Sequence, residues 1–229
     1  MIQKKYDSIH EAVADIHDGA TLLVGGFGGS GLPSNLVAAL VKQGAKDLTV
    51  VSNNIGAVSD GVAALISNDQ VKKIICSFPV GPHADDLVDR LQKGTIELEI
   101  VPQGTLAERI RAGGAGIPAF YTPTAYGTEL GEGKEIREFN GRNYIMEEAI
   151  VGDFAFVRAN TADRWGNLVY RKTQRNFNPV MATAAKITIA EVDEIVEVGE
   201  IEPEHIISPC IFVHRLVELT KEGKVLVNE

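Results

Sequence analysis

Along the chain, short β-branched and aliphatic runs alternate with segments whose apolar residues recur every three or four positions. That alternation predicts an α/β fold in three layers, a mostly parallel sheet with helices on both faces. Ser8-Ile9-His10-Glu11 has the form of a capping box, and Ile9, Val13 and Ile16 make the apolar stripe of a first helix that Asp18-Gly19 ends. Residues 21–24 read as a buried strand that runs into a glycine loop at 25–31. Pro33 falls in the first turn of a helix carrying Leu36, Val37 and Leu40, which Gly44 stops. Strands are expected at 48–51, 73–76 and 96–101, with helices at 62–66, 85–92 and 106–111 between and after them. A second glycine loop is expected at 113–118.

From Tyr121 to Arg142 the helical period fades into Gly, Thr and Glu, which predicts irregular loops and short hairpins. Residues 153–159 and 168–170 read as strands around a turn at 163–167, followed by a short helix at 179–185 and a strong strand at 187–192. No repeat, low-complexity tract or linker interrupts the pattern, so residues 1–229 are expected to form one domain.

The composition narrows the function. With 45% hydrophobic and 23% charged residues the chain is not of a disordered type, and its net charge of −9 disfavours binding to a nucleic-acid backbone. Cys76 and Cys210 form no CxxC pair, and the five histidines (His10, His17, His83, His205, His214) include no HExxH, so no metal site is expected. The first residues contain no apolar targeting core and no stretch approaches a membrane span; a cytoplasmic protein is expected.

Gly26-Phe27-Gly28-Gly29-Ser30-Gly31 satisfies G-x-G-x-x-G between a strand and a helix. One reading is a nucleotide-binding oxidoreductase that holds a diphosphate at the helix N-terminus. The acidic residue such a site needs after the next strand is missing, because Ser52, Asn53 and Asn54 stand there. The plain alternative is a tight turn that uses glycine for its backbone freedom alone.

The wider context is more specific. The run Asp18-Gly19-Ala20-Thr21-Leu22-Leu23-Val24-Gly25-Gly26-Phe27-Gly28-Gly29-Ser30-Gly31-Leu32-Pro33 closely resembles the first signature of the family I coenzyme A transferases. Val51-Ser52-Asn53-Asn54, the segment from Pro102-Gln103-Gly104 to Gly113-Gly114-Ala115-Gly116, and Arg175-Asn176-Phe177-Asn178 resemble the α-subunits of its 3-oxoacid and 3-oxoadipate members, in order and over nearly the whole chain.

That resemblance implies a ping-pong transfer of CoA from succinyl-CoA to a 3-oxoacid, acetoacetate or 3-oxoadipate, through a glutamyl-CoA thioester. Acetate- and butyrate-type transferases are the near alternative, and a pure scaffold subunit a further one. The family's nucleophilic glutamate lies in a Ser-Glu-Asn-Gly motif of the β-half, which is absent here. The resemblance therefore implies a β-subunit partner, in an α2β2 assembly, with a CoA thioester as substrate and no permanently bound cofactor.

Gln103 is the residue the resemblance points to as donor to the oxyanion or thioester carbonyl. Asn53 and Asn54, ending a strand, are candidates to orient substrate, or else form a simple Asx turn. Gly25, Gly26, Phe27, Gly28 and Gly31 are candidates to bring backbone N–H groups beside the substrate, and Gly113, Gly114 and Gly116 to shape the opposite wall. Arg171, Lys172 and Arg175 make a basic cluster suited to a carboxylate, a CoA phosphate or a subunit contact. Among the carboxylates, Glu108 shares an expected helix with Arg109 and Arg111, and Glu129, Glu132, Glu147 and Glu148 are expected on the surface. Trp165 reads as packing or interface.

Overall fold

The computed structural model describes residues 4–55 and 59–219. Strand β1 (Lys5–Tyr6) and helix α1 (Ile9–Ala12) lead into β2 (Thr21–Val24), α2 (Ser34–Gln43), β3 (Leu48–Asn54), α3 (Val62–Ser67), β4 (Val71–Phe78), α4 (Asp85–Gln92), β5 (Glu97–Ile100) and α5 (Gln103–Gly114). A small antiparallel sheet follows, formed by β6 (Ala119–Thr122), β7 (Ile136–Phe139) and β8 (Arg142–Glu148). The chain then returns through β9 (Gly152–Asp163), β10 (Leu168–Val169), α6 (Asn178–Thr183), β11 (Ala185–Val196) and β12 (Arg215–Glu218).

The large sheet has the order β1-β12-β11-β9-β2-β3-β4-β5, with β10 paired to β9 off this path. Every pair is parallel except β10 with β9. The strand period of two divides the core. Leu22, Val24, Val50, Phe154 and Phe156 pack with the apolar residues of α1 to α4 on one face, and Leu23, Val51, Ala155 and Val157 pack with α5 and α6 on the other. This is the expected three-layer α/β arrangement. The late strand β9 lies against β2, so the winding of the sheet reverses between them. Crevices at the carboxyl ends of strands near such a reversal are where sheets of this kind bind ligands.

Several expectations change in the structure. Helix α1 is a single turn: the Ser8 side chain accepts the His10 N–H, but the chain leaves the helix at Val13. Pro33 is the cap of α2, and the helix begins at Ser34. Helix α5 starts at Gln103 and continues through Gly113 and Gly114, so the second glycine loop shrinks to the turn after Gly114. A Cβ on Gly113 would lie 2.0 Å from the Ile150 carbonyl oxygen, and one on Gly114 2.3 Å from Thr183 Oγ1. The two glycines let the end of α5 press against α6 and the segment entering β9.

In residues 121–142 the expected hairpin exists, turned at Asn140-Gly141 with φ of 51° and 76°. Strand β8 extends well past that segment and is anchored to the main body by charge. Buried Arg109 on α5 donates to Glu99 at 2.6 Å and to the Glu148 carbonyl at 2.7 Å, while buried Glu147 takes Lys134 at 2.5 Å. The turn at 163–167 forms as expected, with Asp163 Oδ1 accepting the N–H groups of Trp165 and Asn167.

Candidate active site

Four successive strand ends meet at one edge of the sheet. The loop after β2 brings Phe27 and Gly28, β3 ends in Asn53 and Asn54, β4 ends in Ser77 and Phe78, and Gln103 opens α5 after β5. These seven residues line a cavity of about 430 Å³. Asn53 and Ser77 continue the sheet face of Val51 and Ile75, which is the face α5 covers. Gln103 therefore arrives beside them at the helix N-terminus. Pro102 caps α5 without a side-chain hydrogen bond, so the first N–H groups of the helix give this end of the cavity a positive potential.

A continuous chain of amides joins the walls. The Gln103 Nε2 donates to Asn53 Oδ1 at 2.8 Å, and the Ser77 hydroxyl donates to the same oxygen at 2.8 Å. Asn53 Nδ2 donates to Asn54 Oδ1 at 3.2 Å, which also accepts the Gly28 N–H at 2.7 Å. Asn53 is buried, 2% exposed. One side-chain N–H of Gln103 and both of Asn54 are left without a partner among the described residues, and both residues line the cavity. Phe27 and Phe78, each about half exposed at 51% and 55%, add apolar wall.

Three of the glycine loop's amides are committed within the protein. Its N–H groups at Gly25, Phe27 and Gly28 are spent inside the protein, on the Phe156 carbonyl, the Ser30 carbonyl and Asn54 Oδ1. Phe27 and Ser30 exchange two hydrogen bonds around a tight turn that needs the positive φ of 60° at Gly28. Behind the loop, buried Asn178 donates to the carbonyls of Gly31 and Gln174 at 2.9 and 2.8 Å and accepts the Arg158 N–H at 2.9 Å. A Cβ on Gly25 would meet Asn178 Oδ1 at 2.0 Å, and one on Gly31 would meet the Gln174 carbonyl oxygen at 2.6 Å. Asn176 Nδ2 adds a bond to the Ser30 carbonyl at 3.0 Å. The Arg-Asn-Phe-Asn segment is thus the support on which the loop rests.

A dinucleotide has no place at α2. The buried carboxylate of Glu191, from β11, already accepts the Leu36 N–H at 2.9 Å and lies 3.6 Å from Arg158. Burial pushes the Glu191 carboxyl up to about 7. It occupies the anion-binding position that a diphosphate would need, which removes the physical basis of the oxidoreductase reading.

The remaining candidates disperse. Gly113 and Gly114 serve helix packing, and Gly116 follows α5 with a φ of 72°; none of the three lines the cavity. Arg171, Lys172 and Arg175 are exposed on a short turn whose Thr173 touches Ser30 of the glycine loop at 3.0 Å. Glu108 pairs with Arg111 at 2.7 Å, Glu129, Glu132 and Glu148 are exposed, and none of these carboxylates reaches the cavity. Cys76, adjacent in β4, is no nucleophile, since burial pushes its thiol up to about 12. Among the described residues no group of three or more His, Cys, Asp or Glu side chains is placed to hold a metal ion, and no helix is long and apolar enough to cross a membrane.

Sequence reasoning missed Ser77, Phe78, Glu191 and the supporting role of Asn178. Ser77 and Phe78 had a signal: parallel strands end on one edge, so the residues just past Cys76 belong beside Asn53 and Asn54.

The chain matches the family model described as coenzyme A transferase over residues 6–219. It is 54% identical over 220 residues to a 3-oxoadipate CoA-transferase subunit of Pseudomonas putida, covering 96% of this chain and 95% of that protein. It is also 54% identical over 215 residues to a probable succinyl-CoA:3-ketoacid coenzyme A transferase subunit of Bacillus subtilis, covering 93% of this chain and 89% of the relative. An acyl-CoA transferase from Escherichia coli O157:H7, solved as a thioester complex with CoA, superposes with a TM-score of 0.83 at 23% identity; the match covers all of this chain and 49% of the other.

Proposed function

This chain belongs to the coenzyme A transferase family, and from that premise we propose that it is the α-subunit of a cytoplasmic two-subunit transferase moving CoA from succinyl-CoA to a 3-oxoacid. One observation carries the division of labour. The cavity at the strand ends is lined by amides, a hydroxyl and two phenyl rings, with no carboxylate among its seven residues. It offers donors to a developing negative charge and no carboxylate to attack a thioester.

The nucleophile then comes from the β-subunit. In this reading a partner glutamate attacks the acyl-CoA carbonyl and expels CoA as thiolate, the thiolate attacks the glutamyl carbonyl of the resulting anhydride and releases the first acid as carboxylate, and the second acid takes CoA from the enzyme thioester by the same steps in reverse. Each addition places negative charge on a carbonyl oxygen. The free N–H groups of Gln103 and Asn54, together with the N-terminus of α5, are positioned to stabilise it. The rest of the CoA molecule supplies binding energy that holds the reacting centre in place. The Pseudomonas and Bacillus relatives carry 3-oxoadipate and succinyl-CoA:3-ketoacid in their names, and these are the acids to test first.

Purified alone, the chain is expected to exchange no CoA between succinyl-CoA and acetoacetate or 3-oxoadipate. Adding the β-subunit restores exchange, and borohydride traps the thioester on the partner. Turnover by this chain alone, or a thioester on one of its own glutamates, refutes the proposal.

A further inference from the structure

Asn53 and Gln103 present a problem of direction. A carboxamide is nearly symmetric in shape, and a chain of them can point its donors either toward the cavity or away from it. A backbone N–H at one end decides the matter here, and a hydroxyl at the other holds the result. The Ser77 hydroxyl sits 3.0 Å from the Asn53 backbone carbonyl oxygen and 2.8 Å from Asn53 Oδ1; a hydroxyl can donate or accept, so it holds whichever direction the rest of the chain imposes. With Gln103 Nε2 also donating to Oδ1 at 2.8 Å, that oxygen is fully used, and the Asn53 NH2 must turn to Asn54. At the other end the Gly28 N–H, which can only donate, fixes Asn54 Oδ1 as an acceptor. The Asn54 NH2 is then left for the cavity.

We propose that Ser77 is a positioning residue: its hydroxyl holds the Asn53 carboxamide in the orientation set from the Gly28 end, so that the amide chain turns the NH2 groups of Asn54 and Gln103 toward substrate. The inference rests on the transferase reading for the identity of that substrate and adds its chemical class at this wall. Those NH2 groups suit oxygen carrying negative charge, in a carboxylate, a polarised thioester carbonyl or a tetrahedral oxyanion. Without Ser77, Asn53 Oδ1 keeps one donor of two, and the relay loses one of the contacts that hold its orientation.

The test uses Ser77→Ala and Ser77→Thr in the assembled two-subunit enzyme, with folding and assembly checked by circular dichroism and gel filtration. Ser77→Ala is expected to lower kcat for succinyl-CoA by about tenfold with KM within about twofold, because the lost order matters most when charge develops. Ser77→Thr, which keeps the hydroxyl on a strand residue, is expected to restore kcat to within about threefold of wild type. A side chain that merely filled space would not show this split and rescue. An independent readout is the 15N spectrum of the side-chain NH2 groups. The Asn53 amide protons are expected to exchange faster with solvent in Ser77→Ala and to return to wild-type rates in Ser77→Thr. Unchanged Asn53 amides, or wild-type kcat in Ser77→Ala, would overturn the proposal. A wild-type complex that transfers no CoA while its amides respond as described would sink the functional reading and leave the relay standing.

Discussion

Replacing Gln103 by alanine tests the site most directly, because the structure separates its kinetic effect from its effect on folding. Gln103 is exposed and stands at the first position of α5, so the variant loses one hydrogen bond and gains a better helix former. Asn53 Oδ1 keeps the Ser77 hydroxyl as a donor and is not orphaned. The stability cost is therefore within about 1 kcal/mol. The kinetic cost is larger. Removing one oxyanion donor typically raises a barrier by about 2.7–4 kcal/mol. The Asn54 NH2 remains in the same cavity, which places the loss at the lower end, a fall in kcat of about a hundredfold.

KM should change little, since the bond strengthens as the carbonyl becomes an oxyanion. The assay is acetoacetyl-CoA formation from succinyl-CoA by the assembled enzyme, with the first half-reaction followed separately as thioester formation in a single turnover. Gln103→Glu is the companion: it keeps the shape of the side chain but sets a carboxylate against Asn53 Oδ1, and it should be at least as damaging. A rise in KM with kcat unchanged would mean that Gln103 only binds substrate, and the oxyanion argument would fall.

Gly28→Val puts a β-branched residue at a φ of 60°, where a Cβ itself meets nothing within 4 Å. It should cost about 1–2 kcal/mol of stability through backbone strain and cut turnover by narrowing the cavity, read by thermal unfolding beside kcat; a folded variant with wild-type kinetics would leave the loop a purely structural turn. Glu191 gives a pH signature. Its folded value of about 7 lies above the ordinary 4.5 because burial favours the neutral acid, so the folded state holds the proton more tightly than the unfolded state. Stability is highest below about 4.5, falls as pH rises through about 7 and then levels off. Unfolding free energies from urea titrations of wild type and Glu191→Gln should therefore diverge across that window by about 3 kcal/mol, and parallel curves would refute the assignment.

Much of this protein was legible in the chain. The alternating pattern predicted the three-layer α/β fold, because parallel strands buried on both faces need long apolar runs and their crossovers need amphipathic helices. The strand ends at Asn53-Asn54 and Gln103 were placed by the same logic, since turn residues mark where a buried strand reaches solvent. Taken with the resemblance to the coenzyme A transferases, the lack of a Ser-Glu-Asn-Gly motif in the sequence implied a second subunit.

Tertiary structure decided what depends on contacts between distant residues. Gly113 and Gly114 look like loop residues, yet they lie in a helix, and they are glycine because Ile150 and Thr183 leave no room for a Cβ. Strands β1 and β12 are short and have no telling pattern of their own; they are fixed by pairing between opposite ends of the described chain. The glycine motif reads as a phosphate loop until Glu191, some 155 residues beyond Leu36, fills the helix N-terminus. Ser77 is an ordinary polar residue in sequence. Only the parallel register of β3 and β4 sets it beside Asn53, where its hydroxyl bonds the carboxamide at the centre of the cavity wall.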